Sequence, residues 1–199
     1  EKLQAEKATL IFAPEPKEMY PEGFATTVSV KGPAAGLESD FRPHFFDGVA
    51  TIVTKLLTAV MPDYAMFGEK DYQQLLVVKR LVRDLALPTE IVAVPISREE
   101  DGLAMSSRNA YLSASERQVA GRLNRVLEDV IVRLKAGAGV TEAQAYGIAA
   151  LKEAGFDSVD YVALRDAETL APVSGPEKPA RLLAAARIGK TRLIDNMAV

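Results

Sequence analysis

Apolar residues recur along the chain in two patterns: short continuous runs, and runs at helical spacing. The short runs predict strands over 8–13, 24–30, 64–67, 90–95, 159–164, 181–188 and 191–195. Helical spacing with one apolar face predicts helices over 48–61, 72–85, 113–135 and 141–155. Proline and glycine punctuate these segments, and Pro62 ends the first predicted helix. A long irregular loop is expected between residues 32 and 43, which include Gly32, Pro33, Gly36 and Pro43.

The order strand, helix, strand over residues 64–95 indicates a βαβ unit and a parallel sheet. Ligands of such sheets bind at the carboxyl ends of the strands, which directs attention to the loops 68–71 and 96–108. The organisation changes after Arg98, where a mainly helical and then a stranded stretch follow. We therefore expect an α/β protein with a parallel-sheet domain over 1–97 and a small α+β domain over 98–199.

The composition is that of a globular protein, with 48% apolar and 26% charged residues in 199. No apolar run approaches the roughly 18 residues of a membrane span, and the first residues lack the pattern of a secretory signal. The formal net charge of −3 gives no overall basic footprint for nucleic acid. A soluble, cytoplasmic protein without membrane or nucleic-acid partners is expected.

The residue types that are missing restrict the chemistry. Cysteine is absent and His44 is the one histidine, which excludes thiolate or histidine metal sites and cysteine nucleophiles within the chain. Catalysis must then use Lys, Arg, Asp, Glu, Gln and Ser. The basic residues Lys79, Arg80 and Arg83 could hold a small anion, but a solvated helix face is the preferred interpretation.

The segment Gly68-Glu69-Lys70-Asp71 joins a predicted strand to a predicted helix. Glycine permits close backbone approach, a helix start offers free N–H groups, and Lys70 adds a mobile positive charge, so a ligand could bind there. A plain strand-to-helix turn capped by Asp71 has the same pattern, and from the pattern alone it is favoured.

Three further segments carry groups suited to anions or hydroxyls. Gln73 and Gln74 open the predicted helix, but neighbours on a helix diverge by about 100°, so only one can point inward easily. The segment 105–109 (Met-Ser-Ser-Arg-Asn) suits a phosphate clamp or, equally, a helix-capping stretch. Arg42 could fork onto a carboxylate, whereas His44 is expected to be solvated.

Taken together, these blocks resemble the pantothenate synthetase (pantoate–β-alanine ligase) family over essentially the whole chain. The resemblance rests on the segments 36–38, 42–43, 48–51, 62–63, 67–75, 101–109, 111–112, 116–117 and 192–196. It implies a Rossmann-like nucleotide-binding domain of the HIGH superfamily, ATP and Mg²⁺, the substrates pantoate and β-alanine, and a homodimer. Pantoate would attack the α-phosphate of ATP, and β-alanine would then displace AMP from the acyl adenylate. Neither step needs a protein nucleophile.

The resemblance also implies roles for individual residues. Gly68, Glu69, Lys70 and Asp71 would lie against ATP, with Lys70 at its phosphates, and the backbone at Ser97 would contact adenine. Gln74 would hold pantoate, with Arg42 as a second substrate-binding residue. A mobile loop would close over the phosphates with Met105, Ser106, Ser107 and Arg108. The catalytic set is then Lys70, Ser106, Ser107 and Arg108.

Two departures from the family pattern keep alternatives open. The family's first third, which carries further strands of the nucleotide-binding sheet, has no counterpart here, so the first domain is expected to be incomplete. In addition, Phe45 takes the place of the histidine in the family's Arg-Pro-x-His-Phe-x-Gly loop, and His44 comes one residue earlier. Three hypotheses stay open: the chain is part of an active pantothenate synthetase, an inactive remnant that binds nucleotide weakly, or another adenylate-forming enzyme of the superfamily.

Overall fold

A strand–helix–strand unit lies in the first half of the chain, and helices followed by strands make up the second. The computed structural model describes residues 2–176 and 178–199. Its helices are α1 (Lys2–Ala5), α2 (Pro16–Met19), α3 (Glu38–Phe41), α4 (Phe45–Val60), α5 (Tyr72–Asp84), α6 (Ala114–Ala120), α7 (Arg122–Lys135) and α8 (Val140–Glu153). Its strands are β1 (Tyr64–Gly68), β2 (Glu90–Val94), β3 (Ser158–Asp166), β4 (Ala180–Ile188) and β5 (Thr191–Ala198). Single turns of 3-10 helix cover Glu69–Asp71 and Ser107–Tyr111.

Strands β1 and β2 pair in parallel, from Tyr64 opposite Glu90 to Gly68 opposite Val94. The connecting helix α5 repeats its apolar residues every three to four positions and buries that face, so the chain returns beside its own strand. The core of this half joins α4 to α5 through Ala50, Val53, Leu57, Val78, Leu81 and Val82. The predicted βαβ unit is confirmed, and both strands end at the same edge of the sheet.

The second half is an antiparallel sheet in the order β3-β4-β5, with α7 and α8 packed against it. Strand β4 is buried along most of its length because it lies in the middle of the sheet. Helix α8 approaches the sheet closely at Gly147, where a Cβ would lie 2.8 Å from Val130 Cγ2 and 3.0 Å from Val162 Cγ1. The predicted α+β character of this half, with its three strands, is confirmed.

Two of the predicted strands are wrong. Residues 8–13 form no strand, and Leu10 at the centre of that run is 83% exposed. Residues 24–30 are also irregular, although Val28 and Val30 pack against the core of the first half. The N–H of Val28 donates to Thr51 Oγ1 at 2.9 Å, so a side chain of α4 satisfies it in place of a neighbouring strand.

Two predicted helix boundaries and one predicted capping bond also differ. The predicted helix over 113–135 is broken at Gly121, where Asp101 packs over the backbone and the N–H of Gly121 reaches Arg117 O only at 3.4 Å. Asp71 precedes α5 but its side chain makes no capping hydrogen bond, because the 3-10 turn Glu69–Asp71 already leads into the helix. Helix α4 begins at Phe45, before the expected Gly48.

The two halves meet through an apolar cluster that both contribute to. Its buried members are Leu37, Ala163, Leu170 and Leu183, and Tyr72, Leu76 and Tyr161 pack against them. The division of the chain at residues 97 and 98 stays a prediction. Within residues 2–176 and 178–199, no helix combines the length and the apolar character needed to cross a membrane.

Candidate active site

A cavity of about 370 Å³ lies between the parallel strand pair and the antiparallel sheet. Its size is in the range of small-molecule sites. Five basic side chains line it, namely Arg42, Lys70, Arg108, Arg187 and Arg192. The acidic side chains on its wall are Glu38, Asp71 and Asp195. The excess of positive charge on a concave wall suits an anionic ligand.

Lys70 enters this cavity from the turn that follows β1. Its side chain is only 17% exposed, and the nearest carboxylate oxygen among the described residues, Asp71 Oδ2, is 3.9 Å from Nζ. The turn is held by Asn196, which also lines the cavity and whose side-chain amide donates to the carbonyls of Glu69 at 2.9 Å and Lys70 at 3.0 Å. A lysine ammonium fixed at the wall and weakly paired is available to a phosphate.

Arg108 reaches the same cavity from the loop that follows β2. It lies in the 3-10 turn Ser107–Tyr111, and Ser106 Oγ caps that turn by accepting from the Arg108 N–H at 3.2 Å. Ser106 therefore has a capping role in this segment. The Arg108 guanidinium makes no hydrogen bond to the described residues, so it can contact a ligand. Lys70 and Arg108 come from loops almost forty residues apart and line one cavity.

A buried ionic network forms the wall opposite these loops. Arg192 on β5 donates to both carboxylate oxygens of Glu38 at 2.8 Å and to Asp160 Oδ2 at 2.7 Å. The hydroxyl of Tyr161 donates to Glu38 Oε1 at 2.7 Å. Glu38 is buried, so its charge is tolerated only because these donors surround it.

This environment changes the acid–base behaviour of two groups. Burial raises the pKa of Tyr161 far above the ordinary tyrosine value, and the negative charge of Glu38 raises it further. Burial lowers the pKa of Arg192, but its hydrogen bonds to Glu38 and Asp160 outweigh this effect and raise the pKa overall. Tyr161 therefore stays neutral and Arg192 stays charged at neutral pH.

Two other arginines of the wall are less strongly bound. Arg187 lies 3.9 Å from Asp160, which already accepts from Arg192. Arg42 lies 3.7 Å from Glu38 and stacks on the ring of Phe45 at 3.6 Å. Their guanidinium groups retain donors for an anionic ligand.

Both glutamines at the start of α5 line the cavity, although only one was expected to point inward easily, and they differ in what their side chains contact. The Gln73 side chain is buried and already bound, because its Oε1 accepts from the N–H of Glu38 at 3.1 Å. Its amide donates to Pro33 O at 3.0 Å and Gly36 O at 3.1 Å. Gln74 lines the cavity, and among the described residues its side chain makes no hydrogen bond. Gln74 is therefore the glutamine available to a substrate.

The one histidine is solvated, as expected. The side chain of His44 is 89% exposed and lies 3.5 Å from Asp47. Phe45 lines the cavity and supports Arg42. The position where the family pattern has an imidazole therefore presents an aromatic hydrocarbon face here.

The structure brings part of the predicted site together. Five of the predicted residues line the cavity, namely Arg42, Lys70, Asp71, Gln74 and Arg108. Six others do not line it, and they are Gly68, Glu69, Ser97, Met105, Ser106 and Ser107. Glu69 is instead paired with Arg181 at 3.0 Å. The Ser97 carbonyl accepts from the Met105 N–H at 2.9 Å, which joins the two ends of the 97–105 loop.

Sequence reasoning gave no role to several residues of this site. Glu38, Arg192 and Asn196 lie in segments that carry the family resemblance, so a signal was present. Tyr161 and Arg187 lie on predicted strands whose neighbours in space could not be read from the pattern. A buried carboxylate needs hydrogen-bond donors around it, but the local sequence does not identify the residues that provide them.

No group of three or more His, Asp and Glu side chains that could hold a metal ion occurs among residues 2–176 and 178–199. Asp71, which lines the cavity and is about half exposed, is one carboxylate that faces it. Mg²⁺ commonly binds through one or two carboxylates together with substrate phosphates, so this wall is compatible with a metal that arrives with a nucleotide.

Comparison with known proteins gives a consistent result over the whole chain. The family model described as pantoate-beta-alanine ligase matches residues 1–198. Pantothenate synthetase from Maricaulis maris is 55% identical over 200 residues, which cover 100% of this chain and 69% of the relative. The corresponding protein from Paramagnetospirillum magneticum is 56% identical over 190 residues, which cover 96% of this chain and 67% of the relative.

Solved structures show the same likeness. The crystal structure of pantothenate synthetase from Thermus thermophilus superposes with a TM-score of 0.92 at 50% identity, covering 98% of this chain and 71% of that one. Pantoate-beta-alanine ligase from Francisella tularensis, whose crystal structure is complexed with beta-gamma ATP and β-alanine, gives a TM-score of 0.79 at 29% identity. That match covers 98% of this chain and 67% of the other.

Proposed function

The chain belongs to the pantoate–β-alanine ligase family, and from that membership we propose that the cavity between its two halves binds ATP and pantoate and forms the acyl adenylate. The activity itself is an ATP-dependent condensation that makes the C–N bond of pantothenate. We place ATP in this cavity mainly because Lys70 and Arg108, from the loops after β1 and β2, both line it.

The reaction proceeds in two displacements. A carboxylate oxygen of pantoate attacks the α-phosphorus of ATP, and the bond to the β-phosphate oxygen breaks to release pyrophosphate. The amine of β-alanine then attacks the acyl carbon, AMP leaves with the bonding electrons, and the amine loses its proton. The protein contributes position and charge stabilisation, since neither step requires a protein nucleophile.

Lys70 and Arg108 are assigned to the phosphates. Negative charge accumulates on the leaving pyrophosphate in the first displacement, and cations held at the cavity wall stabilise it there more than in water. Ser106 and Ser107 lie in the same loop as Arg108, and we assign their hydroxyls to contacts with the phosphates. Their hydroxyls reach a ligand when the loop moves toward the cavity that Arg108 already lines.

The adenosine is assigned to backbone around the ends of β1 and β2. A Cβ placed on Gly68 would meet no described atom within 4 Å, so the backbone there is open to a ligand. The backbone of Glu69 and the loop segments at Ser97 and Met105 lie along the same edge. Glu69 contributes through its main chain, because its carboxylate is paired with Arg181.

Pantoate is assigned to Gln74 and Arg42. The amide of Gln74 both donates and accepts, which suits the hydroxyl groups of pantoate. Arg42 offers a guanidinium fork to a carboxylate.

Mg²⁺ would accompany ATP, and Asp71 is the carboxylate at the cavity wall that we assign to it. The family likeness further supports a homodimer in the cytoplasm, and light scattering after size exclusion measures the oligomeric state.

A three-substrate assay tests this function. The protein is incubated with ATP, pantoate and β-alanine, and pantothenate and AMP are measured while each substrate is omitted in turn. Pantoate-dependent exchange of labelled pyrophosphate into ATP reports the first displacement alone, and other hydroxy acids test the specificity. The expected result is pantothenate in the complete mixture only. Absence of both product and exchange with every acid tested would favour the alternative that the chain is an inactive remnant.

A further inference from the structure

Two adjacent residues of β5 hold the two loops from which Lys70 and Arg108 enter the cavity. Asp195 and Asn196 are each only 2% exposed, although both are polar. Each makes hydrogen bonds outside its own sheet, Asp195 to the loop after β2 and Asn196 to the turn after β1. Buried polar side chains are costly unless their partners are fixed, so these bonds define where the two loops lie.

Asn196 uses both ends of its amide. The nitrogen Nδ2 donates to the carbonyls of Glu69 and Lys70 at 2.9 and 3.0 Å. The oxygen Oδ1 accepts from Arg181 Nε at 2.7 Å, and another nitrogen of that guanidinium donates to the Glu69 carboxylate at 3.0 Å. Asn196 therefore holds the main chain of the turn directly, and Arg181, which is bound to Asn196, holds the Glu69 side chain.

Asp195 holds the other loop through Arg98. Its carboxylate accepts from two nitrogens of Arg98 at 2.7 and 3.0 Å, a bidentate pair. The same guanidinium donates to Gly102 O at 2.9 Å, inside the loop that leads to Arg108. The relative position of the two loops thus depends on neighbouring side chains of one strand.

We propose that Asn196 is a positioning residue for Lys70: its amide fixes the backbone of the Glu69–Asp71 turn and so sets the position of the ammonium group in the cavity. The inference rests on the proposed function, because it takes Lys70 to contact the phosphates of ATP. The side chain at position 196 must both donate to the two carbonyls and accept from Arg181, and an amide does both. A carboxylate of the same shape keeps the acceptor for Arg181 but loses both donors and presents negative charge to two carbonyl oxygens.

The test is a double-mutant cycle on ATP affinity. The proteins are wild type, N196D, K70A and the N196D/K70A double variant, and the dissociation constants of ATP and of pantoate are each measured by titration calorimetry. N196D is expected to weaken ATP binding about tenfold, because a displaced Lys70 loses part of its charge-assisted contact with the phosphates. In the K70A background the same change is expected to weaken ATP less than twofold. The affinity for pantoate stays the same.

A destabilised control separates positioning from general loss of structure. L151A removes a fully buried side chain of α8 that does not line the cavity, so it lowers the melting temperature and leaves ATP affinity within twofold of wild type. Equal tenfold losses from N196D with and without Lys70 would overturn the positioning role, as would wild-type ATP affinity of N196D. Failure of the unmodified protein to bind ATP would overturn the proposed function and this inference together.

Discussion

The hydroxyl of Tyr161 on β3 donates a 2.7 Å hydrogen bond to Oε1 of Glu38 in the first half of the chain. The two residues are 123 positions apart, and Glu38 also accepts two hydrogen bonds from Arg192 on β5. A single buried carboxylate therefore links the first half to two strands of the antiparallel sheet. Because this carboxylate lies on the cavity wall, the bond stabilises the wall and the junction of the halves together.

Y161F is expected to lower the free energy of unfolding by about 1–2 kcal/mol. The substitution removes one hydrogen bond to a charged acceptor, while Arg192 still satisfies Glu38. Urea unfolding followed by circular dichroism measures the change. The matched control is Y64F, which deletes the hydroxyl of an exposed tyrosine and is expected to change stability by less than about 0.5 kcal/mol. Equal effects of the two substitutions would contradict the importance assigned to the Glu38 contact.

The same tyrosine predicts a loss of stability in alkali. Burial raises the folded-state pKa of Tyr161 above the value of 10.0 taken for an unperturbed tyrosine. Above about pH 10 the unfolded chain releases this proton while the folded protein retains it, so the stability falls as the pH rises. Below that pH both states hold the proton, and the group contributes no pH dependence.

The measurement compares the free energies of unfolding of wild type and Y161F at pH 8.5 and 11, values that lie roughly either side of the tyrosine pKa. Wild type is expected to lose more stability than Y161F between the two values. Subtracting the two proteins removes the contribution of the other tyrosines and lysines. Parallel curves would show that Tyr161 ionises as easily in the folded protein as in the unfolded chain.

Gln73 and Gln74 should separate stability from substrate binding. Q73L leaves the N–H of buried Glu38 and the carbonyls of Pro33 and Gly36 without their partner, and is expected to cost about 2–4 kcal/mol. Q74L removes a cavity-facing amide and is expected to leave stability within about 0.5 kcal/mol. It should raise the KM for pantoate about tenfold, because a hydroxyl of the substrate loses its partner.

Unfolding midpoints and steady-state kinetics of the two variants check this pair. The residues are adjacent on one helix and the substitutions are identical, so each variant is the control of the other. A large stability loss in Q74L, or a pantoate KM unchanged by it, would remove Gln74 from the substrate site.

The local pattern predicted the βαβ unit because the period of the apolar residues changes from strand to helix between Gly68 and Tyr72. It failed at residues 8–13 and 24–30, since a strand needs a neighbour and an apolar run does not reveal whether one exists. Leu10 is apolar and yet 83% exposed. The pattern also missed the break between α6 and α7 at Gly121. There Asp101, from another loop, occupies the space that a side chain at position 121 would need.

The candidate site was predictable where one loop carries it, as at Lys70, and not where partners come from distant segments. Arg192 and Glu38 are 154 positions apart, and nothing in either local sequence specifies the other. The family resemblance marked both segments without giving the contact. Asn196 is the clearest case, because an asparagine near the end of an edge strand has no local signature of holding a turn 126 positions earlier.

Lys70 provides the most direct test of the cationic cavity. K70A is expected to reduce kcat/KM for ATP by about 10²–10³, the usual cost of removing a charge that stabilises a transition state. The folded structure should be unaffected, because among the described residues the ammonium makes a single distant ion pair, at 3.9 Å to Asp71. The matched control is K79A on the exposed face of α5, which should retain wild-type kinetics. Steady-state rates of AMP release, with melting temperatures of all three proteins, measure the contrast. Similar kinetics for K70A and K79A would mean that the phosphates of ATP bind elsewhere, since one lysine lines the cavity and the other faces solvent.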